Sequence, residues 1–373
     1  VLVDTRENLR WRIDTDNVTK LLIHGVLVED GDSHDSIRRS LRPALHKQML
    51  GGYVDSMVRC TDKVSMHWQN DVPQDMLVEM RKVALLILME TLFGIDYSPE
   101  MRRLWWSVLY LIRYISPGLW MFWSGAPQPG YTKARAMMDD YLLRIIAQRR
   151  AELATQPDTT STDMLSMLIL GGMDTPLIRD QLMTMLIAGH DTSTASLAWA
   201  LHMLTEYPDA AQRAQSEIDA VLGDAPPTAE NFQQLKVLEQ IIKETLRLFP
   251  PIHLGSRVAM HDLSFNGYTI PEGTRVLYSI YLTQRHPEYW KDPNTFNPDR
   301  FAAGNKYDEY TFLAFGGGPR NCIGRAFAEV ETKVVLARLL QQFRFEKRGG
   351  KVHQHMGATL EPRPGVLAQP IRR

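Results

Sequence analysis

Cys322 sits among residues that favour an ionised sulfur. It belongs to the run Phe315-Gly316-Gly317-Gly318-Pro319-Arg320-Asn321-Cys322-Ile323-Gly324, and a helical pattern from Arg325 to Leu340 follows at once. Three glycines and a proline give a tight, conformationally permissive loop in which backbone N–H groups can crowd the sulfur. The positive end of the following helix and the charge of Arg320 act in the same direction, so all three features favour thiolate over thiol.

A thiolate in such a loop could be a core cysteine, a nucleophile or the single protein ligand of a haem iron. A nucleophile wants a histidine base, and the local sequence supplies none. Zinc wants further ligands, yet Cys60 is the only other cysteine and there is no Cys-x-x-Cys pair. A second candidate for chemistry is Ala188-Gly189-His190-Asp191-Thr192-Ser193, a polar insertion in an apolar helical stretch. Glycine is a poor helix former and Thr192 can turn its hydroxyl to the carbonyl of Ala188, so a distorted turn is expected there. His190 lies about 100° around the helix from Asp191 and is not assigned as an iron ligand. His34 and Arg38, four apart, share a helix face, for which a solvated basic helix is an equal alternative on spacing alone. Glu244 and Arg247, three apart, are by themselves an ordinary ion pair worth about 0.2–0.5 kcal/mol.

Taken together these stretches resemble the cytochrome P450 superfamily. Phe315-x-x-Gly318-x-Arg320-x-Cys322-x-Gly324 is similar to its haem-binding signature, and further landmarks stand upstream in the family's order. The resemblance implies a mainly α fold with small β-sheets, a helical bundle around a buried haem b. It implies one domain over residues 1–373, with the family's N-terminal segment missing from the sequence. Cys322 would be the axial thiolate, whose electron donation favours O–O cleavage. Phe315, Gly316, Arg320 and Gly324 would frame the cofactor together with Ala188 and Gly189, and His34, Arg38 and Arg257 would reach its propionates.

The same resemblance makes Asp191 and Thr192 an acid and alcohol pair that handles protons for bound dioxygen. Glu244, Arg247 and Arg300, the last within Phe296-Asn297-Pro298-Asp299-Arg300-Phe301, would form a buried clamp behind the cysteine loop. Ile252, His253, Leu254 and the Met356-Gly357-Ala358 turn would line a pocket for an apolar substrate, with plain sheet packing as the alternative. The implied activity is monooxygenation, with O2 and two NAD(P)H-derived electrons delivered by a ferredoxin, a flavodoxin-like domain or a reductase. A basic patch of Arg38, Arg39, Arg42, Arg325 and Lys333 would receive such an acidic partner. Alternatives are a peroxide-driven peroxygenase or isomerase, or a haem sensor or carrier; the proton-handling pair speaks against the carrier, since storage needs no relay.

These groups need a frame. With 44% hydrophobic and 23% charged residues, the 373-residue chain has ample core for a soluble globular protein. Its net charge of -1 argues against general nucleic-acid binding. Two unlike cysteines suit a reducing compartment, and a soluble cytoplasmic protein is expected, with an upstream membrane anchor before Val1 as an open alternative. Asp174-Thr175-Pro176 and Tyr207-Pro208 bracket a helix of about 46 Å, long enough to cross the molecule. Two amphipathic helices lie between Gly52 and Gly94, the first carrying Cys60 as a buried thiol. Residues 104–123, interrupted by Arg113 and Pro117-Gly118, read either as two core-facing helix ends or, by the resemblance, as a hinged cover over the substrate pocket, with weak membrane contact a further option. Helices at 131–153 and 235–248 follow, and then a strand at 252–260.

Overall fold

The computed structural model describes residues 8–70, 72–118, 126–155, 163–308 and 310–373. The helices in chain order are α1 (Asn17–Leu22), α2 (Gly31–Leu41), α3 (Lys47–Ser65), α4 (Met76–Leu92), α5 (Ser98–Ile115) and α6 (Tyr131–Thr155). They continue as α7 (Met164–Leu170), α8 (Thr175–Glu206), α9 (Pro208–Leu222), α10 (Lys236–Leu248), α11 (Ile280–Thr283) and α12 (Arg325–Gln342). The strands are β1 (Leu9–Arg10), β2 (Gln74–Asp75), β3 (Leu254–Ala259), β4 (Leu263–Phe265) and β5 (Tyr268–Ile270). Further along are β6 (Arg275–Ser279), β7 (Phe343–Lys347), β8 (His353–Met356), β9 (Leu360–Arg363) and β10 (Leu367–Arg372).

The long helix α8 starts where the sequence places it. Asp174 accepts a hydrogen bond from the Leu177 amide at 2.8 Å, and Pro176 lies in the first turn. Its polar middle does not distort it: α8 is continuous over 32 residues. The reason is local, since Thr192 Oγ1 donates to the Ala188 carbonyl at 2.7 Å and Thr194 and Ser196 bond back to His190 and Thr192 in the same way. Gly189 has a packing role as well. A Cβ there would lie 2.6 Å from Leu88 Cδ1, so glycine lets α4 approach α8 closely.

That contact is the centre of the core. α4 is apolar and buried almost all round, as expected of a helix enclosed on every side, and it packs against α3 and α8 while α12 covers α3 and α8 in turn. Trp199 of α8 stacks on Phe249, ring centroids 3.9 Å apart, where α10 has just ended. The sheets are peripheral: β1-β3-β6 and β2-β10-β7 are antiparallel triplets, and β4-β5 and β8-β9 are hairpins. Asn266 and Gly267 both take positive φ, 48° and 81°, the conformation that a two-residue hairpin turn requires.

The interrupted aromatic stretch lies on α5, which ends at Ser116 with its hydroxyl donated to the Ile112 carbonyl at 2.9 Å. Pro117 and Gly118 follow; Trp120, Trp123 and the rest of the expected cover lie outside the described residues. Among the described residues no helix is long and apolar enough to cross a membrane.

Candidate active site

Gly316 and Gly318 take φ of 71° and 66°, so the cysteine loop uses the left-handed freedom that only glycine has at no cost. The Cys322 amide closes the loop on the Phe315 carbonyl at 2.9 Å, and Gly324 caps α12. Cys322 is a free, exposed thiol. Desolvation by the surrounding protein pushes the thiol up; the Gly324 backbone and the Arg38 and Arg325 cations pull the other way and are outweighed. The Gly324 backbone and the two arginines thus act in the direction that favours a thiolate, and a bound metal cation would hold the sulfur in that form. Arg320 contributes less than expected because Asp30 engages it. Arg38 donates to the Asn321 carbonyl at 3.0 Å and to its side chain at 2.7 Å, immediately beside Cys322. His34 is buried with Nδ1 2.8 Å from Asp35, and burial lowers its pKa.

A second group of cations lies next to this loop; it contains the expected Arg257 and Arg320 and adds Trp11, Arg12 and Arg275, which no sequence motif singles out. The Arg257 guanidinium sits 3.5 Å from the ring centre of Trp11, and Arg320 sits 5.4 Å from the same ring. Arg12 donates to Ser256 Oγ at 2.9 Å and Arg275 to Asp16 at 2.8 Å. Four guanidiniums, Arg12, Arg257, Arg275 and Arg320, thus face two carboxylates, Asp16 and Asp30, leaving two positive charges in excess. Trp11 Nε1 and Arg12 Nε are buried donors that find no acceptor among the described residues. An uncompensated pair of charges with orphaned donors suits a dianion, and the two propionates of a haem meet that requirement. What brings Trp11 and Arg12 here is the pairing of β1 with β3, Arg10 opposite Val258, which no local pattern announces.

On α8, every residue from Gln181 to Leu204 is buried except Ala188, Gly189 and Thr192. Ala188 and Thr192 are one turn apart and open one face of an otherwise enclosed rod. Asp191 points elsewhere. Its Oδ2 accepts from Thr359 Oγ1 at 2.7 Å, while Arg81 Nη1 lies 3.7 Å from Oδ1. Burial raises its pKa, and Arg81 and the Thr359 hydroxyl oppose that rise. His190 is buried with Nε2 3.2 Å from the Arg81 carbonyl, and burial with the neighbouring Arg81 charge drives its pKa down to about 3, so it is neutral. Ser193 Oγ donates to Glu331 Oε2 at 2.5 Å, and burial pushes the Glu331 carboxyl up to about 8. A protonated acid thus ties α8 to the helix that follows the cysteine loop.

Glu244, Arg247 and Arg300 come together. Arg247 donates to both Glu244 oxygens at 2.7 and 2.8 Å, both side chains are fully buried, and Arg300 Nε reaches Glu244 Oε1 at 3.3 Å. Arg247 also donates at 2.8 Å to the carbonyls of Gln284 and Pro293, and Gln284 Oε1 accepts from the Leu313 amide at 2.7 Å, two residues before Phe315. Gln284 is therefore the link from clamp to loop. Cys60 is buried and bonded to Glu90, and burial pushes its thiol up.

The pocket residues separate. Ala358 lines a cavity of about 870 Å³ together with Asp191, whereas Ile252, His253 and Leu254 do not line it. Ile252 and Leu254 are exposed, and His253 is half-buried, which lowers its pKa. The basic patch is smaller than expected: Arg325 pairs with Glu329 at 2.9 Å and Lys333 with Glu239 at 2.8 Å, which leaves Arg39 and Arg42 exposed beside Arg38.

The chain matches the family described as Cytochrome P450 over residues 1–368, and it belongs to that family. It is 31% identical over 366 residues to "Putative cytochrome P450 139" of Mycobacterium tuberculosis, covering 92% of this chain and 83% of that protein. It is 29% identical to the cyclooctat-9-en-7-ol 5-monooxygenase of Streptomyces melanosporofaciens, over 88% of this chain and 74% of the other. Among solved structures, the cytochrome P450DA heme domain matches with a TM-score of 0.88 at 24% identity, covering 98% of this chain and 84% of the other. The retinoic acid bound cyanobacterial CYP120A1 matches with the same TM-score and identity, covering 100% and 86%. The protein is thus a cytochrome P450 monooxygenase of a family that binds haem through a cysteine thiolate.

Proposed function

We propose that the enzyme inserts one oxygen atom of O2 into an apolar organic substrate, by hydroxylation or epoxidation, with Cys322 as the haem ligand. The observation that carries this reading is the pairing of a one-cysteine ligand loop with an acid and an alcohol on α8, of which Thr192 is one of the few incompletely buried positions on that stretch of the helix and Asp191 borders a cavity. When bound, the haem iron supplies the redox chemistry and the activation of dioxygen. The chain's own residues would do the rest: Arg257, Arg12 and Trp11 would hold the propionates, the Glu244–Arg247 pair would fix the loop, and Thr192 and Asp191 would hold and pass protons. One relative is named for oxygenating cyclooctat-9-en-7-ol and one structural neighbour for binding retinoic acid. Both molecules are largely apolar, which supports a substrate of that character here.

Electrons come from an acidic ferredoxin, a flavodoxin-like domain or a reductase that meets Arg38, Arg39 and Arg42. In an assay with substrate, isotopically labelled O2 and such a donor, one labelled oxygen atom appears in product, and the rate falls as salt is raised. Turnover with peroxide alone and none with O2 plus electrons contradicts the oxygenase reading; a salt-independent rate contradicts the docking surface.

A further inference from the structure

One face of α2 is turned to the residues just before Cys322. Asp30, His34 and Arg38 are spaced by four and follow one another along that face. Arg38, in the last turn, grips Asn321 through its carbonyl and its side chain. Asp30, at the opposite end, holds Arg320. His34 lies between them, close enough for the Arg320 charge to add to the burial that lowers its pKa.

Asp30 does not serve its own helix. An aspartate at the N-cap ordinarily accepts from an amide of the first turn, yet here the side chain makes no such bond. It accepts instead from the Trp11 amide, at 3.1 and 3.3 Å, and from Arg320, which is 290 residues away in the chain. The Trp11 ring in turn supports two guanidiniums, that of Arg257 3.5 Å from its centre and that of Arg320 at 5.4 Å. One carboxylate therefore fastens both the ring and one of the cations that lean on it. The Asp30 charge is felt at Arg257 as well. The Asp30 side chain is 41% exposed and that of Arg320 14%, so the negative charge stands at the rim of a mostly enclosed cationic site.

We propose that Asp30 is a positioning residue which, through Arg320 and Trp11, sets the charge offered to the haem propionates and thereby how readily the iron is reduced. The inference rests on the haem-thiolate reading and goes beyond it by giving a role to a residue outside the propionate-binding set. Four guanidiniums face the carboxylates of Asp16 and Asp30, and neutralising Asp30 leaves three positive charges in excess instead of two. Conversion of ferric to ferrous haem takes up one electron from the donor and adds one negative charge to the site. A more positive surrounding favours the ferrous form, so Asp30 holds the iron in a less readily reduced state. The same extra charge binds the propionates more firmly.

The test is a spectroelectrochemical titration of the haem-loaded enzyme at fixed pH and low salt, with haem transfer to excess apomyoglobin as a second measurement. Asp30→Asn keeps the size of the side chain and an oxygen for the Trp11 amide. At any fixed potential its ferrous-to-ferric ratio stands about three- to tenfold above the parent's. The difference narrows as salt is raised, because Asp30 is at the rim, and haem leaves no faster than from the parent. Asp30→Glu retains the charge and titrates with the parent. Asp30→Ala drops both contacts and combines the raised ratio with faster haem loss. A role in packing alone would move haem retention and leave the ratio unchanged. An unchanged or lowered ratio in Asp30→Asn, an equal rise in Asp30→Glu, or faster haem loss from Asp30→Asn overturns the proposal. If the parent itself lacks a thiolate-type spectrum in its reduced carbon-monoxide form, the underlying haem-thiolate reading is what has failed.

Discussion

Arg247→Ala yields a protein that does not retain haem. The Arg247 side chain is fully buried, and its removal leaves the Glu244 carboxylate buried with only Arg300 and the Asn297 amide as partners. Breaking a buried pair in this way costs about 3–5 kcal/mol. It also strips donors from the carbonyls of Gln284, Pro293 and Thr295, each a loss of about 1–3 kcal/mol where no water replaces it. Against a domain stability of about 5–15 kcal/mol the change is large, and it falls on the segment that holds Leu313 and, through it, the cysteine loop. Arg247→Lys fails in the same way, because a single ammonium cannot fork to both oxygens and three carbonyls. The measurement is haem per polypeptide after gel filtration; a normal ratio in Arg247→Ala removes the clamp from the account.

Asp191→Asn keeps the shape of the side chain and an oxygen for the Thr359 hydroxyl, yet it cannot exchange a proton. Product formation accordingly falls about 10²- to 10⁴-fold, the range for loss of a general acid or base, while electrons continue to be consumed. Haem content and the spectrum of the reduced carbon-monoxide complex remain those of the parent. Simultaneous measurement of electron consumption and product separates lost proton delivery from damaged packing. Turnover within twofold of the parent contradicts a proton role for Asp191.

Features set by neighbours in sequence were legible without coordinates. The ends of α8 follow from the Asp174 cap, Pro176 and Pro208, and the turn at Asn266 and Gly267 follows from residues that tolerate positive φ. Glu244 and Arg247 share a helix face because they are three apart. The remaining features depend on chain segments that meet only after folding. Trp11 reaches Arg257 through β1-β3 pairing, Thr359 reaches Asp191 from 168 residues away, and Gln284 joins clamp to loop through a side-chain amide with no periodic signature. At Cys322 the local dipoles and charges that favour a thiolate can be read from sequence, whereas the burial that opposes them depends on the folded surroundings. The unbroken course of α8 likewise depends on hydroxyls satisfying their own helix, one of two outcomes the same residues allow.

Ligation of a haem iron by Cys322 underlies every role assigned above. Its direct test is the optical spectrum of the reduced, carbon-monoxide-bound protein beside that of Cys322→Ser. A strongly red-shifted Soret band in the parent that disappears in the variant is the expected result; an unshifted band in the parent, or a red-shifted band that survives the substitution, contradicts the account.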